Sequence, residues 1–535
     1  MTQENEKSLP TKSKRVVDSK IKRTVLLLSM FFCIFCTQFS NAGLGPSLGK
    51  ISSELHNSED MSWYMTSFTL TSVVFQLLGV RISDCLGRRR TELYSFTMFF
   101  IISFITGFSI NNAMFIAGRA LQGITAGIAQ TNISASLVDL FNMKDRIKYQ
   151  PMVYMAFTVA IIISPNHLSW RWIFWLTAII CFPVLVSLYF YLQIEIKPEQ
   201  TISKENLKTL TKRIDPIGCV LVSTAIVFFL MGMHLGGESI EYTWSSPMVI
   251  GFLCGSVGLF MLFLIFEKFI ASVPLFPSAV IMNKDLILCY IQQFANGWHY
   301  PLVNLVLFIE YQAVFGATTT EAALRLVPAS ILNVVSNYMG TRISYKLGSP
   351  KYVNMVGTII NIIASFLLLF VENPSSSVST QTGIIIMYEF GMGFCSQISV
   401  LSYQMILENT HPHLVPVSLS LGRCIVLCGI TVSISFSLSL LQSLMTIDIE
   451  GLKSLQPAIY DAIIKSGAQI NYSKVRNLTP EIAKKTIQQM YHDNIRYIVY
   501  SHLFWSIICL ICVIFAKVPS LKKKKAEFDA EENRK

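Results

Sequence analysis

Apolar runs of about 20 residues, each closed by charges or a Pro/Gly cluster, recur along this chain from residue 24 to residue 517. They fall at 24–43, 62–80, 93–111, 114–138, 149–166, 171–192, 214–235, 246–269, 285–312, 323–341, 351–371, 381–407, 415–441 and 495–517. A hydrocarbon core of roughly 30 Å takes about 20 helical residues. The pattern therefore predicts an all-α polytopic membrane protein of about 14 transmembrane spans. A count of about 12 or 13 follows if the short fifth run or the polar-rich tenth does not cross. The segment Leu455 to Met490 mixes apolar and charged residues at helical spacing and predicts a short amphipathic helix outside the bilayer.

Composition agrees. Apolar residues make up 52% of the 535 positions and charged residues 14%, against roughly 25% charge in a soluble domain. The mean hydropathy is +0.51. A row of soluble domains is excluded, because too few charges remain to coat their surfaces. The net charge of +11 follows from topology. Lys and Arg collect in both tails and in alternate connections, at Arg81–Arg90, Lys144–Lys148, Lys197–Arg213 and Arg342–Lys351. The positive-inside rule then puts both termini in the cytoplasm and leaves no call for a nucleic-acid partner. The 12 cysteines stand singly or as i,i+3 pairs inside apolar runs, so neither disulfides nor a metal site is expected, and no cofactor. Two glycosylation sequons, at Asn471 and Asn477, lie in the long connection 442–494, which this topology places outside.

An internal repeat carries the most information. After the second run the chain reads Gly79-Val-Arg81-Ile82-Ser83-Asp84-Cys-Leu86-Gly87-Arg88-Arg89-Arg90. After the tenth it reads Gly340-Thr-Arg342-Ile343-Ser344-Tyr345-Lys-Leu347-Gly348-Ser-Pro-Lys351. Gly, Arg, Ile, Ser, Leu and Gly recur at one constant offset. Repeated halves of this kind build transporters, with the substrate site near the midplane between them. The expected organisation is a cytoplasmic tail (1–23), a six-helix half (24–192), a cytoplasmic linker with two inserted helices (193–269), a second six-helix half (270–517) and a basic cytoplasmic tail (518–535). Within each copy, glycines let two helix ends approach across a tight turn, and Asp84 can accept charge-assisted bonds from Arg88 or Arg89. Gly79, Asp84, Gly87, Arg88, Arg89, Gly340, Arg342 and Gly348 thus form a conformational latch, with a plain stop-transfer basic cluster as the simpler alternative.

The Gly79–Arg89 run resembles the signature loop of the major facilitator superfamily. Gly118-Arg119-Ala-Leu-Gln122-Gly123, Ser169-Trp170-Arg171-Trp172, Asp215-Pro-Ile-Gly218 and Tyr311-Gln312-Ala-Val-Phe-Gly316 are similar to further elements of the fungal-type 14-span drug:proton antiporters. The resemblance implies two six-helix halves, alternating access and a cavity-facing role for Arg119 and Gln122. The fifth run departs from the pattern, reading Ile163-Ser164-Pro165-Asn166 without a glycine pair, although Pro165 would still kink its helix.

Ionisable residues inside a bilayer are costly and functional by default. Besides Arg119, about 8 Å from the outer face, they include Glu389, about 12 Å deep, and Glu310 near the outer end of the ninth run. Either acid can exchange protons or pair with a cationic substrate. Arg423 is a candidate partner of Glu389. His299, midway along the ninth run, is either a relay or a packed core residue. Trp298, Tyr388 and Tyr403 could wall a cation site or simply pack. Lys522–Lys525 fits contact with anionic lipid headgroups.

These residues predict a secondary active transporter, working as a monomer in the lipid bilayer, that exchanges a drug-like or cationic small molecule for protons. Transport of basic amino acids into the vacuole and a transporter-like sensor are the alternatives. The plasma membrane is the expected location and the vacuolar membrane the other one. No nucleophile–base cluster or nucleotide-binding Gly-rich loop points to an enzyme or to ATP.

Overall fold

Residues 20–42, 44, 51, 54–55, 63–141, 145, 149, 169–192, 215–238, 243–271, 278–370, 378–466 and 472–520 are described by a computed structural model. The fifth run with Pro165, the sequon at Asn471, most of the basic linker and the tail containing Lys522–Lys525 lie outside the described residues.

Among the described residues the regular elements are helices. The first half contributes α1 (Lys20–Ala42), α2 (Trp63–Leu86), α3 (Arg88–Thr106), α4 (Asn112–Leu140) and α5 (Arg171–Tyr191). The inserted pair is α6 (Pro216–Glu238) and α7 (Pro247–Phe269). The second half begins with α8 (Lys284–Pro301), which passes through a π-turn at Leu302–Val306 into α9 (Leu307–Ala313). It continues with α10 (Thr319–Leu347), α11 (Pro350–Leu369), α12 (Val378–Thr410), α13 (Val415–Leu455), α14 (Pro457–Ser466) and α15 (Glu481–Phe515). Nine of these helices are long and apolar enough to cross a membrane by length and composition alone.

Local signals explain the helix ends. Asn111 caps α4 by accepting from the Met114 amide at 2.8 Å. Thr318 and Glu321 close a capping box on α10. The two repeat copies turn on matching glycines with left-handed backbone, Gly87 at φ 88 and Gly348 at φ 71, a region costly for other L-residues. Pro301 withdraws an amide donor inside the ninth span, and the π-turn follows directly.

Packing repeats as well. α2 lies along α4 as α10 lies along α12, α3 along α4 as α11 along α12, and α3 beside α5 as α11 beside α15. Small residues permit the closest approaches. A Cβ on Gly123 would collide with the Phe68 carbonyl, and one on Gly393 with the Asn333 carbonyl. The halves touch along α2 and α4. At mid-length of α2 the Ser420 hydroxyl donates to the Gln76 carbonyl at 2.6 Å, and nearer the Gly87 end Val138 packs against the cluster that includes Tyr403, Leu407, Val415 and Leu419. Of the inserted pair, α6 packs against α2 and α13, while α7 turns Val257, Met261, Ile265 and Phe269 outward.

The segment 442–494, expected as a loop, is largely helical where described. α13 runs on to Leu455 and α15 starts at Glu481. Leu441, Met445, Ile449 and Leu452 bury against Ile463, Ile487 and Tyr491, and Asn494 donates to Asp448 at 2.8 Å. α14 occupies part of the stretch predicted as an amphipathic helix.

Candidate functional site

Four polar clusters stand out, one at the Gly87 turn and three buried inside the halves. At the turn, the α2 end brings Asp84 one helical turn from Arg88, and α4 supplies Asp139. The Arg88 guanidinium binds Asp84 at 2.7 Å and Asp139 at 2.9 Å, and also donates to the Ser83 hydroxyl at 2.7 Å. Three helices are thereby tied at one charged knot. Arg89 points elsewhere: it donates to the Tyr189 carbonyl at 2.8 Å and lies over the Tyr189 ring, joining α3 to α5. Gly79 keeps α2 against α4, since a Cβ there would stand 3.1 Å from the Ile128 Cα.

The second copy repeats the backbone and lacks the knot. Tyr345 stands where Asp84 does, and Arg342 donates to the Tyr338 hydroxyl at 2.8 and 3.0 Å. The charged knot thus belongs to the first copy, the one whose sequence carries the acid.

Arg119, on α4, is fully buried. Its guanidinium donates to the Tyr64 carbonyl at 3.0 Å, the Gln122 Oε1 at 3.1 Å, the Asn41 Oδ1 at 2.7 Å and both oxygens of Ser40 at 3.4 Å. It also lies 4.4 Å from the Phe68 ring centre. Gln122 passes its own amide to Ser103 at 2.9 Å. A planar fork with five donors suits this divided set of neutral acceptors; an ammonium would not reach them together. Snorkelling to the interface is excluded by the burial and by the direction of these bonds.

In the second half, Glu389 on α12 receives the Asn333 amide at 2.6 Å, and Asn333 also reaches the Glu389 backbone carbonyl at 3.2 Å. Asn333 of α10, and not Arg423, is the bonding partner. One residue earlier, the Tyr388 hydroxyl meets His299 Nδ1 at 2.8 Å. The His299 ring lies 5.7 Å from that of His502, and its Nε2 is 3.4 Å from the Ser506 hydroxyl. His299 and His502 are both buried, so His299 is part of a cluster drawn from α8, α12 and α15 and not a lone core histidine. Glu310 on α9 is buried too, instead of touching interfacial water, and pairs with His492 of α15 at 3.1 Å. Trp298 packs on Phe436 and Trp505, and Tyr403 on Tyr290.

Sequence reasoning missed His492, Asn333, His502 and Glu92. His492 and His502 flank the start of the fourteenth run, and only tertiary contact marks them. Glu92 was hidden as the second residue after the basic cluster Arg88–Arg90. Outside the bilayer, Glu54 receives Trp170 Nε1 at 3.0 Å and Arg171 Nη1, and the Arg171 bond holds its carboxyl below the ordinary carboxylate value. Asn477 of the second sequon is exposed at the end of a short 3-10 turn. Among the described residues there is no group of three His, Cys, Asp or Glu side chains that could hold a metal.

Comparison with known proteins gives this geometry a context. Residues 30–434 match the family described as "Major Facilitator Superfamily". The MFS-type transporter poxA of Penicillium oxalicum is 26% identical over 481 residues, covering 88% of this chain and 83% of that protein. The vacuolar basic amino acid transporter 5 of Saccharomyces cerevisiae is 24% identical over 427 residues, covering 72% of each. Among solved structures, the human organic anion transporter MFSD10 superposes with a TM-score of 0.54 at 11% identity, covering 91% of this chain and all of that one, a likeness of fold.

Proposed function

We propose, from the premise that the chain belongs to the Major Facilitator Superfamily, that it exchanges a small organic cation for protons by alternating access. Membership makes it a multi-pass membrane transporter of a small molecule, and not an enzyme. The observation that carries the finer reading is the pair of acids inside the second half. Glu389 is bonded by a neutral amide and Glu310 by a histidine. Neither has a fixed cation as bonding partner among the described residues, so a positively charged solute can take that place beside either carboxyl.

Arg119 acts in the other half as a fixed positive centre. Its bonds to α1, α2 and its own helix make their spacing depend on one side chain. Among the described residues, contacts between the halves run from the Gly87 end, at Val138, to the middle of α2, at Gln76 and Val73. With the topology expected from charge, that end is cytoplasmic, and the described conformation is closed on that side. The latch at Arg88 supports the same closure, since it ties α2, α3 and α4 together beside the contact. The relative named for vacuolar basic amino acid transport fits the same class of solute, because those amino acids are organic cations. Location in the plasma membrane, a monomeric state and glycosylation at Asn477 complete the proposal.

The reading is tested by uptake into liposomes holding purified protein. Labelled lysine, arginine and a panel of quaternary ammonium compounds are offered under an inward-acid pH gradient. Gradient-dependent accumulation of a cation, abolished by an uncoupler, supports exchange. Saturable binding of solutes without accumulation replaces the transporter reading with a sensor.

A further inference from the structure

We propose that Glu92 is the buried end of the latch, a proton-binding carboxylate whose protonation loosens the closed Gly87 end of the bundle. Glu92 lies four residues beyond Arg88 on α3, about 6 Å further in at 1.5 Å per residue, and is 1% exposed. Its Oε2 accepts from Asn132 Nδ2 at 2.7 Å and its Oε1 from the Cys33 thiol at 3.2 Å. α1, α3 and α4 therefore meet on one carboxylate.

The chain of bonds behind it has a direction. Arg88 donates to the Ser83 hydroxyl at 2.7 Å, so the Ser83 proton turns to Asn132 Oδ1. The Asn132 amide then gives its two hydrogens to the Arg88 carbonyl at 2.8 Å and to Glu92. Both of those partners are acceptors only, which settles the orientation of the amide. Donors thus run from the guanidinium of the latch, through a hydroxyl and an amide, to the carboxylate. Asp84 and Asp139 hold the other side of the same guanidinium, about 40% exposed.

Among the described residues the ionisable groups around Glu92 are few. α1 offers Cys33 with Cys36 behind it, α5 offers Cys181 against those thiols, and α2, α3 and α4 offer Asp84, Arg88 and Asp139. Of these, only the Cys33 thiol bonds the carboxylate directly. A proton arriving on Glu92 turns a charge-assisted bond into a neutral one of roughly half the strength. It also adds a hydroxyl donor beside an amide whose hydrogens already face that way. Asn132 is then held toward α3 mainly by the Arg88 carbonyl, and the chain of bonds through Ser83 to the Arg88 guanidinium slackens. The shallow depth puts this acid within reach of protons from the Gly87 end, a role separate from Glu389 and Glu310 in the opposite half.

The test needs no substrate. Full-length protein in lipid nanodiscs is followed by hydrogen exchange across residues 80–95 at about pH 8 and about pH 5.5, with rates corrected for chemical exchange. Wild type is expected to open about tenfold more readily at the lower pH. Glu92→Gln, which cannot ionise, should be fast at both, and Asn132→Ala should likewise lose the step. Glu389→Gln should keep it. A step that persists in Glu92→Gln overturns the proposal. So does a wild type without a step, whatever the variants do.

Discussion

Arg119 shows how much can rest on a single side chain. Its bonds satisfy acceptors from α1, α2 and α4 at once. Arg119→Met would leave several buried oxygens unpaired, at roughly 1–3 kcal/mol each, so unfolding in detergent should come several degrees lower, with transport lost. Arg119→Lys keeps the charge without the fork; it should recover stability only in part and restore little transport. Glu54 carries a different kind of prediction. Its folded pKa is depressed by Arg171 below the ordinary value of 4.5, so its contribution is present above that value and disappears as pH falls through the lower folded one. Because the pair is largely exposed, that contribution is at most about 1 kcal/mol. Melting curves of wild type and Glu54→Gln should differ at pH 7 and merge in strong acid. Of the site residues, the contact of Arg119 with Gln122 was legible because the two sit three apart on one helix, while the role given to them came from the resemblance. The partners of Glu389 and Glu310 were not, since Asn333 and His492 arrive from elements that are distant in sequence.

At the scale of elements, the turn glycines of the two repeats share a sign of φ and differ in ψ. Gly87 stands at φ 88, ψ 141 and Gly348 at φ 71, ψ 16. The second lies in the left-handed helical region that other residues visit at about 1–2 kcal/mol. The first lies outside it, in territory close to glycine-only, at up to about 3 kcal/mol. Gly87→Ala should therefore lower thermal stability more than Gly348→Ala, a difference that parallel melting curves would read directly. Gly393→Leu should be worse than either, because it drives a side chain into the Asn333 carbonyl and parts α10 from α12. Apart from the fifth run, which lies outside the described residues, the spans were legible in the sequence to within a few residues at most ends. Hydropathy marks where a helix meets lipid, though, and not where it stops. That is why α13 runs on to Leu455 and α15 starts at Glu481, stabilised by packing on each other beyond the apolar runs.

For the whole molecule, a short repeated motif anticipated a repeated architecture. Gly79–Gly87 and Gly340–Gly348 match at six sequence positions, in a turn glycine of positive φ and in the helix pairs around them. Chemistry breaks that symmetry: the charged latch, with Glu92 behind it, is built in the first half, and Glu389 and Glu310 lie in the second. Such a division suits a rocking machine in which one half locks a face and the other holds the acids proposed to meet the solute. The most direct test is proton movement in sealed proteoliposomes under an imposed pH gradient, with an internal pH dye reporting as organic cations are added. The account predicts a solute-evoked proton flux in wild type that is lost in Glu389→Gln while solute binding persists. Equal flux in both would remove Glu389 from the coupling path, and no flux with any transported cation would contradict proton exchange itself.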